Sequence, residues 1–284
     1  MTRMNRKRDL LMQYRCILPL LLVVMPGVSA LFAQDPDTAV AVQENRYNFA
    51  QFGRETVDFF IQPIRWDGND WLKLGAIGAG TLALMQFDQP IRNEVTKDQR
   101  YYKSVPIEAG RMWAELPPPV LIFAGLATYS LITGDMAIRK TAYELGQALL
   151  YAGAVDKLSN IAIGRAKPYM NEGPKSFYSF SASSFSFQQD HQSLPGGHCV
   201  IAFAMSTVLS RNAGPLWLKV AAFVPAGLTF VSRVYQDRHW ISDDFLGAAL
   251  GYFVATWVVD QHERVERRIQ ISSVFPLTIS VTLN

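Results

Sequence analysis

Two polar islands in an otherwise apolar chain carry the residues with chemistry in them. One is Ser232-Arg233-Val-Tyr-Gln-Asp-Arg-His239-Trp-Ile-Ser-Asp243; the other, Pro195-Gly196-Gly197-His198, heads an apolar run. The chain has four histidines, and two of them sit in these islands. On a helix His239 and Asp243, four apart, share a face. A carboxylate there holds the imidazole in one tautomer and leaves its other nitrogen a better nucleophile. Arg233 offers a planar fork of donors suited to a phosphate. His198 adds a proton donor. Together these are the parts that phosphoryl transfer requires. An isolated His-x3-Asp is ordinarily a core histidine satisfied by its acid; Arg233 upstream and His198 in its own island favour chemistry here.

Ser-Arg-x5-His-x3-Asp resembles the third motif of the type 2 phosphatidic acid phosphatase (PAP2) superfamily, which also holds bacterial class A acid phosphatases and vanadium haloperoxidases. Pro195-Gly196-Gly197-His198 resembles its second motif, Pro-Ser-Gly-His, with Gly196 in place of Ser. The stretch from Asn160 to Lys167 and Pro168 resembles its first, Lys-x6-Arg-Pro, with Asn160 for Lys and Lys167 for Arg. The similarity runs from Tyr143 to Val254. It implies an all-α bundle of about six helices and a nucleophile at His239 oriented by Asp243. It also implies a proton donor at His198 and a phosphate pocket of Arg233, Lys167, Asn160 and the amides of Gly196 and Gly197. A helix beginning near His198 would aim free N–H groups at an anion. Asn160 keeps one donor without charge, and Lys167 keeps charge without the fork. Lys157, one turn before Asn160, is in reach of the pocket or is a helix lysine with its head in water. Arg165 belongs behind or at the rim of the pocket. Asp244 reads as a first-turn helix charge.

The bulk numbers bound the class. The chain has 284 residues, 49% hydrophobic and 18% charged, with mean hydropathy +0.07. That is apolar for a soluble protein and polar for a bundle of membrane spans. Arg3, Arg6, Lys7, Arg8 and Arg15 precede the apolar run 16–24, with Asp9 alone opposing them. This is the layout of a signal peptide over residues 1–33, with a core shorter than the ~20 residues of a span. Its removal takes five of 27 bases and one of 24 acids, leaving 22 against 23, so a nucleic-acid partner is not expected. Of the two cysteines, Cys16 leaves with the signal and Cys199 remains, so no internal disulfide is expected.

Residues 34–70 read as a polar leader that covers the core. The helical domain is expected over 71–260, with the motifs in 160–243. Its helical segments are Trp71–Phe87, Leu116–Gly134, Thr141–Gly164, His198–Leu209, Leu216–Val231 and Asp244–Val259. The prolines Pro117, Pro118 and Pro119 suit a helix start. Residues 88–110 read as short amphipathic helix plus loop, and 261–284 as a tail, irregular or with short strands. The loop Tyr169–Leu194, rich in Ser and Phe, is either a lid that meets lipid chains or a loop anchored by its own aromatics. Leu116–Gly134 is long enough to span, but Glu144, Asp156, Lys157 and Lys219 interrupt the other candidates. A bundle with membrane contact is therefore favoured over a full integral protein.

The expected function is an exported, metal-independent phosphatase of the bacterial envelope. It would act through a phosphohistidine on a phosphomonoester or pyrophosphate, of a lipid such as phosphatidate, a prenyl pyrophosphate or lipid A. No cofactor is expected, and the oligomeric state is open. A catalytically weak or inactive anion- or lipid-binding member is the alternative, because two motifs are altered. A vanadate haloperoxidase ranks last, since its cationic cage is depleted here. A zinc site from His198, Cys199, His239 and Asp243 is conceivable, but Arg233 beside it opposes a cation.

Overall fold

The structure, a computed structural model, describes residues 46–181 and 189–274, with side chains as far as Arg264. The signal segment, Phe185, Phe187 and residues 275–284 lie outside the described residues. The described chain is all-α, without strands; Arg165 and Phe177 form an isolated antiparallel bridge. In chain order the helices are α1 (Phe49–Ile61), α2 (Gly68–Leu84), α3 (Asp88–Lys97), α4 (Val105–Trp113) and α5 (Pro117–Thr133). Then follow α6 (Met136–Ile163), α7 (Gly197–Asn212), α8 (Leu216–Ala221), α9 (Val224–Tyr235) and α10 (Ile241–Val274).

Local signals set the boundaries. Asp67 caps α2 by accepting from the amides of Asn69 and Asp70, and Asp135 caps α6 by accepting from Ala137 and Ile138. α6 thus starts before the expected Thr141. Gly134 and Gly164 end α5 and α6 in left-handed conformation, with φ of 72° and 64°, which glycine adopts without cost. The last helix runs on through Val274, beyond the expected start of the tail. Its charged stretch has partners, since Arg211 of α7 pairs with both Asp260 and Glu263 at 2.8 Å.

The core lies among α6, α7 and α10, with Leu145, Ala148, Tyr151, Val200, Met205, Val208, Ala255 and Val258 buried. Small residues let these helices approach closely. A Cβ added to Gly251 of α10 would meet the Val200 carbonyl oxygen of α7 at 2.2 Å, and one on Gly247 would meet that of Gly196 at 2.4 Å. α1, within residues 34–70, packs on this core. Phe59 stacks on Tyr151 at 4.6 Å between ring centroids. Glu55 accepts from Tyr143 Oη at 2.9 Å and from Gln147 Nε2 at 2.8 Å. His262 bridges Glu55 and Glu144 at 3.4 and 3.0 Å. The charge at Glu144, which interrupts a candidate span, therefore points inward and is partnered.

The outward faces are apolar. Trp71, Leu72 and Leu82 of α2, Val120, Leu121, Leu131 and Ile132 of α5, and Trp217, Val220, Val224 and Val231 of α8–α9 are all exposed. Among the described residues, one helical stretch, Leu216–Tyr235, is long and apolar enough to cross a membrane. α4 and α5, bent by 61°, pass the same test only as a pair.

The chain direction places the chemistry. α6 and α9 end, and α7 and α10 begin, at one end of the bundle, so all three motifs meet there. The tight α7–α10 crossing predicts that Gly251→Ala destabilises the fold by about 1–3 kcal/mol through overpacking. Gly227→Ala, on an exposed helix face with nothing within 4 Å of the added methyl, should stabilise by about 0.5–1 kcal/mol. Thermal unfolding of the two variants beside the parent tests the contrast.

Candidate active site

His239 and His198 face one another across a cavity of about 90 Å³, their ring centroids 6.4 Å apart. Asp156, Lys157, Asn160, Lys167, Gln189, Gln192 and Gly197 complete its lining. His239 sits in the turn between α9 and α10 and is buried. Its Nδ1 lies 2.9 Å from the main-chain carbonyl of Ser193. A carbonyl only accepts, so Nδ1 carries the proton and Nε2 keeps its lone pair.

This corrects the role expected of Asp243. Its Oδ2 stands 4.0 Å from His239 Nδ1, too far for a hydrogen bond. Both oxygens are already engaged. Oδ2 accepts from Ser193 Oγ at 2.5 Å and from the Trp240 amide at 3.0 Å. Oδ1 accepts from Arg165 Nη1 at 2.5 Å. Asp243 thus orients His239 at one remove, by fixing Ser193, whose carbonyl holds the ring.

Arg165 is fully buried, so it stands behind the pocket and not at a rim. Besides Asp243 it binds Asp88 Oδ2 at 2.6 Å, Ser242 Oγ at 2.8 Å and the Pro174 carbonyl through Nε at 3.0 Å. Asp88, at the start of α3, in turn accepts from the amide and hydroxyl of Ser242. Trp240 Nε1 donates to the Ala166 carbonyl, closing the same layer.

Other expected pocket residues are placed unevenly. Lys167 lines the cavity, and burial, then Arg233 and Arg238, lowers its ammonium to about 8. Lys157 lines it too, and its Nζ donates to Gln192 Oε1 at 2.8 Å. Arg233 is buried close to both imidazoles, with Nε unpartnered among the described residues and Nη1 only loosely on Gln236 Oε1 at 3.4 Å. Gly197 begins α7, whose N-terminus has no side-chain cap, so its first amides lack acceptors within the helix.

Asn160 and Gly196 depart from expectation. Asn160 Nδ2 already serves the Asp156 carbonyl, Asp156 Oδ1 and the Pro195 carbonyl at 3.1, 2.9 and 3.2 Å. Its donor is spent inside the protein, and its Oδ1 is left unpartnered. The Gly196 amide likewise donates to the Asp243 carbonyl at 2.8 Å and is not free for an anion. A Cβ on Gly196 would meet Asp244 Oδ1 at 2.2 Å. Asp244, also fully buried, occupies the space that a side chain at position 196 would need, so the glycine answers a close approach.

Charge and burial set the protonation states. Burial first, then Lys167, Arg233 and His198, holds His239 well below its ordinary value, so its nucleophilic form is neutral. Burial, then Arg233, Lys167, Arg111 and Arg238, lowers His198 to about 3. Burial raises Asp243 to about 6 against the pull of Arg165 and Ser193, and raises Asp244 well above the carboxylate range. Cys199, buried beside Asp244, is likewise pushed up and unreactive. Sequence reasoning missed Ser193, Asp88, Asp156 and Arg238 as parts of the site.

A family model described as the PAP2 superfamily matches residues 142–267. The matched residues include all three of the motif-like stretches described above. A lipid A 1-phosphatase of Porphyromonas gingivalis is 38% identical over 73 residues, which cover 24% of this chain and 16% of that protein. Among solved structures, Aquifex aeolicus LpxE superposes with a TM-score of 0.43 at 17% identity, covering 61% of this chain and 95% of that one. A transmembrane PAP2 type phosphatidylglycerolphosphate phosphatase from Bacillus subtilis gives 0.45 at 20% identity, covering 68% and 97%.

The close approach of Asp244 to Gly196 makes a testable pair. Gly196→Ala should cost about 1–3 kcal/mol by overpacking against Asp244. Asp244→Ala removes a buried carboxyl whose neighbour is the Cys199 thiol and vacates that space. The double variant should therefore be more stable than the sum of the single effects, with a coupling of at least ~1 kcal/mol in a denaturant double-mutant cycle. Strict additivity would show that Asp244 does not occupy the space a side chain at position 196 would need.

Proposed function

We propose that the chain is a phosphatase that cleaves a phosphomonoester or pyrophosphate, of a lipid, through a phosphohistidine on His239. The observation that carries this is the pair of imidazoles 6.4 Å apart across a cation-lined cavity, with His239 Nε2 left free by the Ser193 carbonyl. A phosphoryl group fits between such rings. Nε2 attacks phosphorus and the bond to the leaving oxygen breaks. Lys167, Arg233 and the first amides of α7 balance the charge on the phosphoryl oxygens, so the scheme calls on no metal. The leaving oxygen takes a proton from His198. In the next half-reaction water attacks the phosphohistidine, gives a proton to His198 and frees phosphate and His239.

His198 cannot hold a proton in the empty cavity, where burial and four cations oppose it. An entering phosphate offsets those cations, so the donor is charged by the substrate it serves. A lipid substrate is supported by the name of the matched relative, a lipid A 1-phosphatase. It is supported also by the exposed apolar faces of α2, α5 and α8–α9, which suit contact with a membrane. The signal-like segment at residues 1–33 supports an exported site that faces away from the cytoplasm. A second reading, an anion-binding protein without turnover, is favoured by one observation. The donors at Asn160 and Gly196 are spent within the protein, and each such donor is typically worth about 10²–10³ in rate.

Phosphate release from lipid and soluble phosphates, with and without a chelator, tests the proposal. His239→Ala should abolish release, and the chelator should leave it unchanged. His198→Ala should lower release from alkyl esters by about 10²–10⁴ and much less from an aryl ester, whose leaving group needs no proton. Sulfate binding without release from any substrate would establish the second reading.

A further inference from the structure

The cavity holds a carboxyl group that this scheme does not use. Asp156 lies on α6 one turn before Asn160, and it lines the cavity together with His198, His239 and Lys167. Its Oδ1 accepts from Asn160 Nδ2 at 2.9 Å. Its Oδ2 would stand 3.0 Å from a Cβ on Gly197, which places it against the first residue of α7. A bound phosphate must therefore share this small space with the Asp156 carboxyl. As a carboxylate it would repel the anion across a short, poorly hydrated gap; as an acid it would be a donor.

We propose that Asp156 decides which anions the cavity admits: neutral, it donates its O–H to a phosphoryl oxygen in place of the donor that Asn160 no longer offers, and ionised, it excludes the ligand. The proposal rests on the cavity being a phosphate site. The groups facing Asp156 are Lys157 on its own helix, Lys167 from the loop after α6, His198 from α7 and His239 from the turn before α10. Burial raises Asp156 to about 7 against the pull of Lys157, Lys167 and Asn160. The neutral form therefore prevails below that value and is lost as pH rises through it, and anion binding falls in the same direction. Lys167, lowered to about 8, is half-titrated at the upper end of this range and adds a smaller loss of binding there. Asp243, raised to about 6, lies behind the lining, bonded to Arg165.

Sulfate is the probe, because it stays a dianion throughout the range. Its dissociation constant on the full chain should rise about twentyfold from about pH 6 to about pH 8, about tenfold from the one proton coupled at Asp156 and about twofold from Lys167. Asp156→Asn, which keeps a donor and loses the charge, should show only about a twofold rise, from Lys167. At about pH 8 it should bind sulfate about tenfold tighter than the parent. Equal binding by the two proteins at that pH, with equal slopes, would overturn the role of Asp156 while leaving the phosphate site standing. No sulfate binding by either protein at any pH would instead overturn the phosphate site itself. Should Asp156→Asn not fold, His198→Ala decides, since it removes the other group that an entering anion would charge. Calorimetry of that variant in two buffers of different ionisation enthalpy should show uptake of about half a proton per sulfate at about pH 7, and no uptake would overturn the proposal.

Discussion

The buried guanidinium of Arg165 is the interaction on which the site depends. It sits between two carboxylates, Asp88 at 2.6 Å and Asp243 at 2.5 Å, with none of the three side chains exposed. Each member is out of water, so each is tolerable only because the others are present; loss of one partner from such a set costs about 3–5 kcal/mol. Three separate parts of the chain are tied in this way: the entry to α3, the loop after α6 and the start of α10. That tie fixes Asp243, Asp243 fixes Ser193, and the Ser193 carbonyl fixes the tautomer of His239. His239 is thus positioned by a chain of polar contacts that begins at a residue it never touches.

The second constraint is an excess of positive charge in a small dry space. Lys167, Arg233, Arg238 and Arg111 all oppose protonation of His198, and two of them that of His239. This keeps both imidazoles neutral and the cavity unsatisfied until an anion enters. Preorganised cations act strongly in such surroundings because no water needs to be moved when charge develops. In the proposed reaction, the ligand that needs a proton is also the ligand that lets His198 hold one.

Much of this was legible in the sequence, and the limits are physical. The third motif gave His239, Arg233 and Asp243 by residue type and spacing, and the structure brings them together with His198. Helical spacing puts His239 and Asp243 on one face, yet His239 precedes the helix, which begins at Ile241; the two meet through Ser193 instead. Ser193 acts with its backbone carbonyl, which no side-chain pattern announces. Asp88 lies far upstream of the motifs, and only the fold carries it to Arg165. Gly196 was visible as a departure, but its reason, Asp244 in the vacated space, is a matter of packing across two helices. Glu144 and Asp156 looked like interruptions of apolar helices because hydropathy does not say which way a side chain points.

The two altered motif positions share a logic. At each, a donor that would serve an anion is replaced by a residue committed to the protein, and a carboxyl group stands beside it. Asn160 binds Asp156 through its amide, and Gly196 makes room for Asp244. Both acids are raised by burial, Asp156 to about 7 and Asp244 beyond the carboxylate range. In their neutral forms they add donors and no charge. Under the proposal above, Asp156 in the cavity lining keeps a hydrogen-bond donor at hand while the altered first motif surrenders a fixed positive charge. On that reading the site favours conditions, or phosphate groups, that bring their own proton.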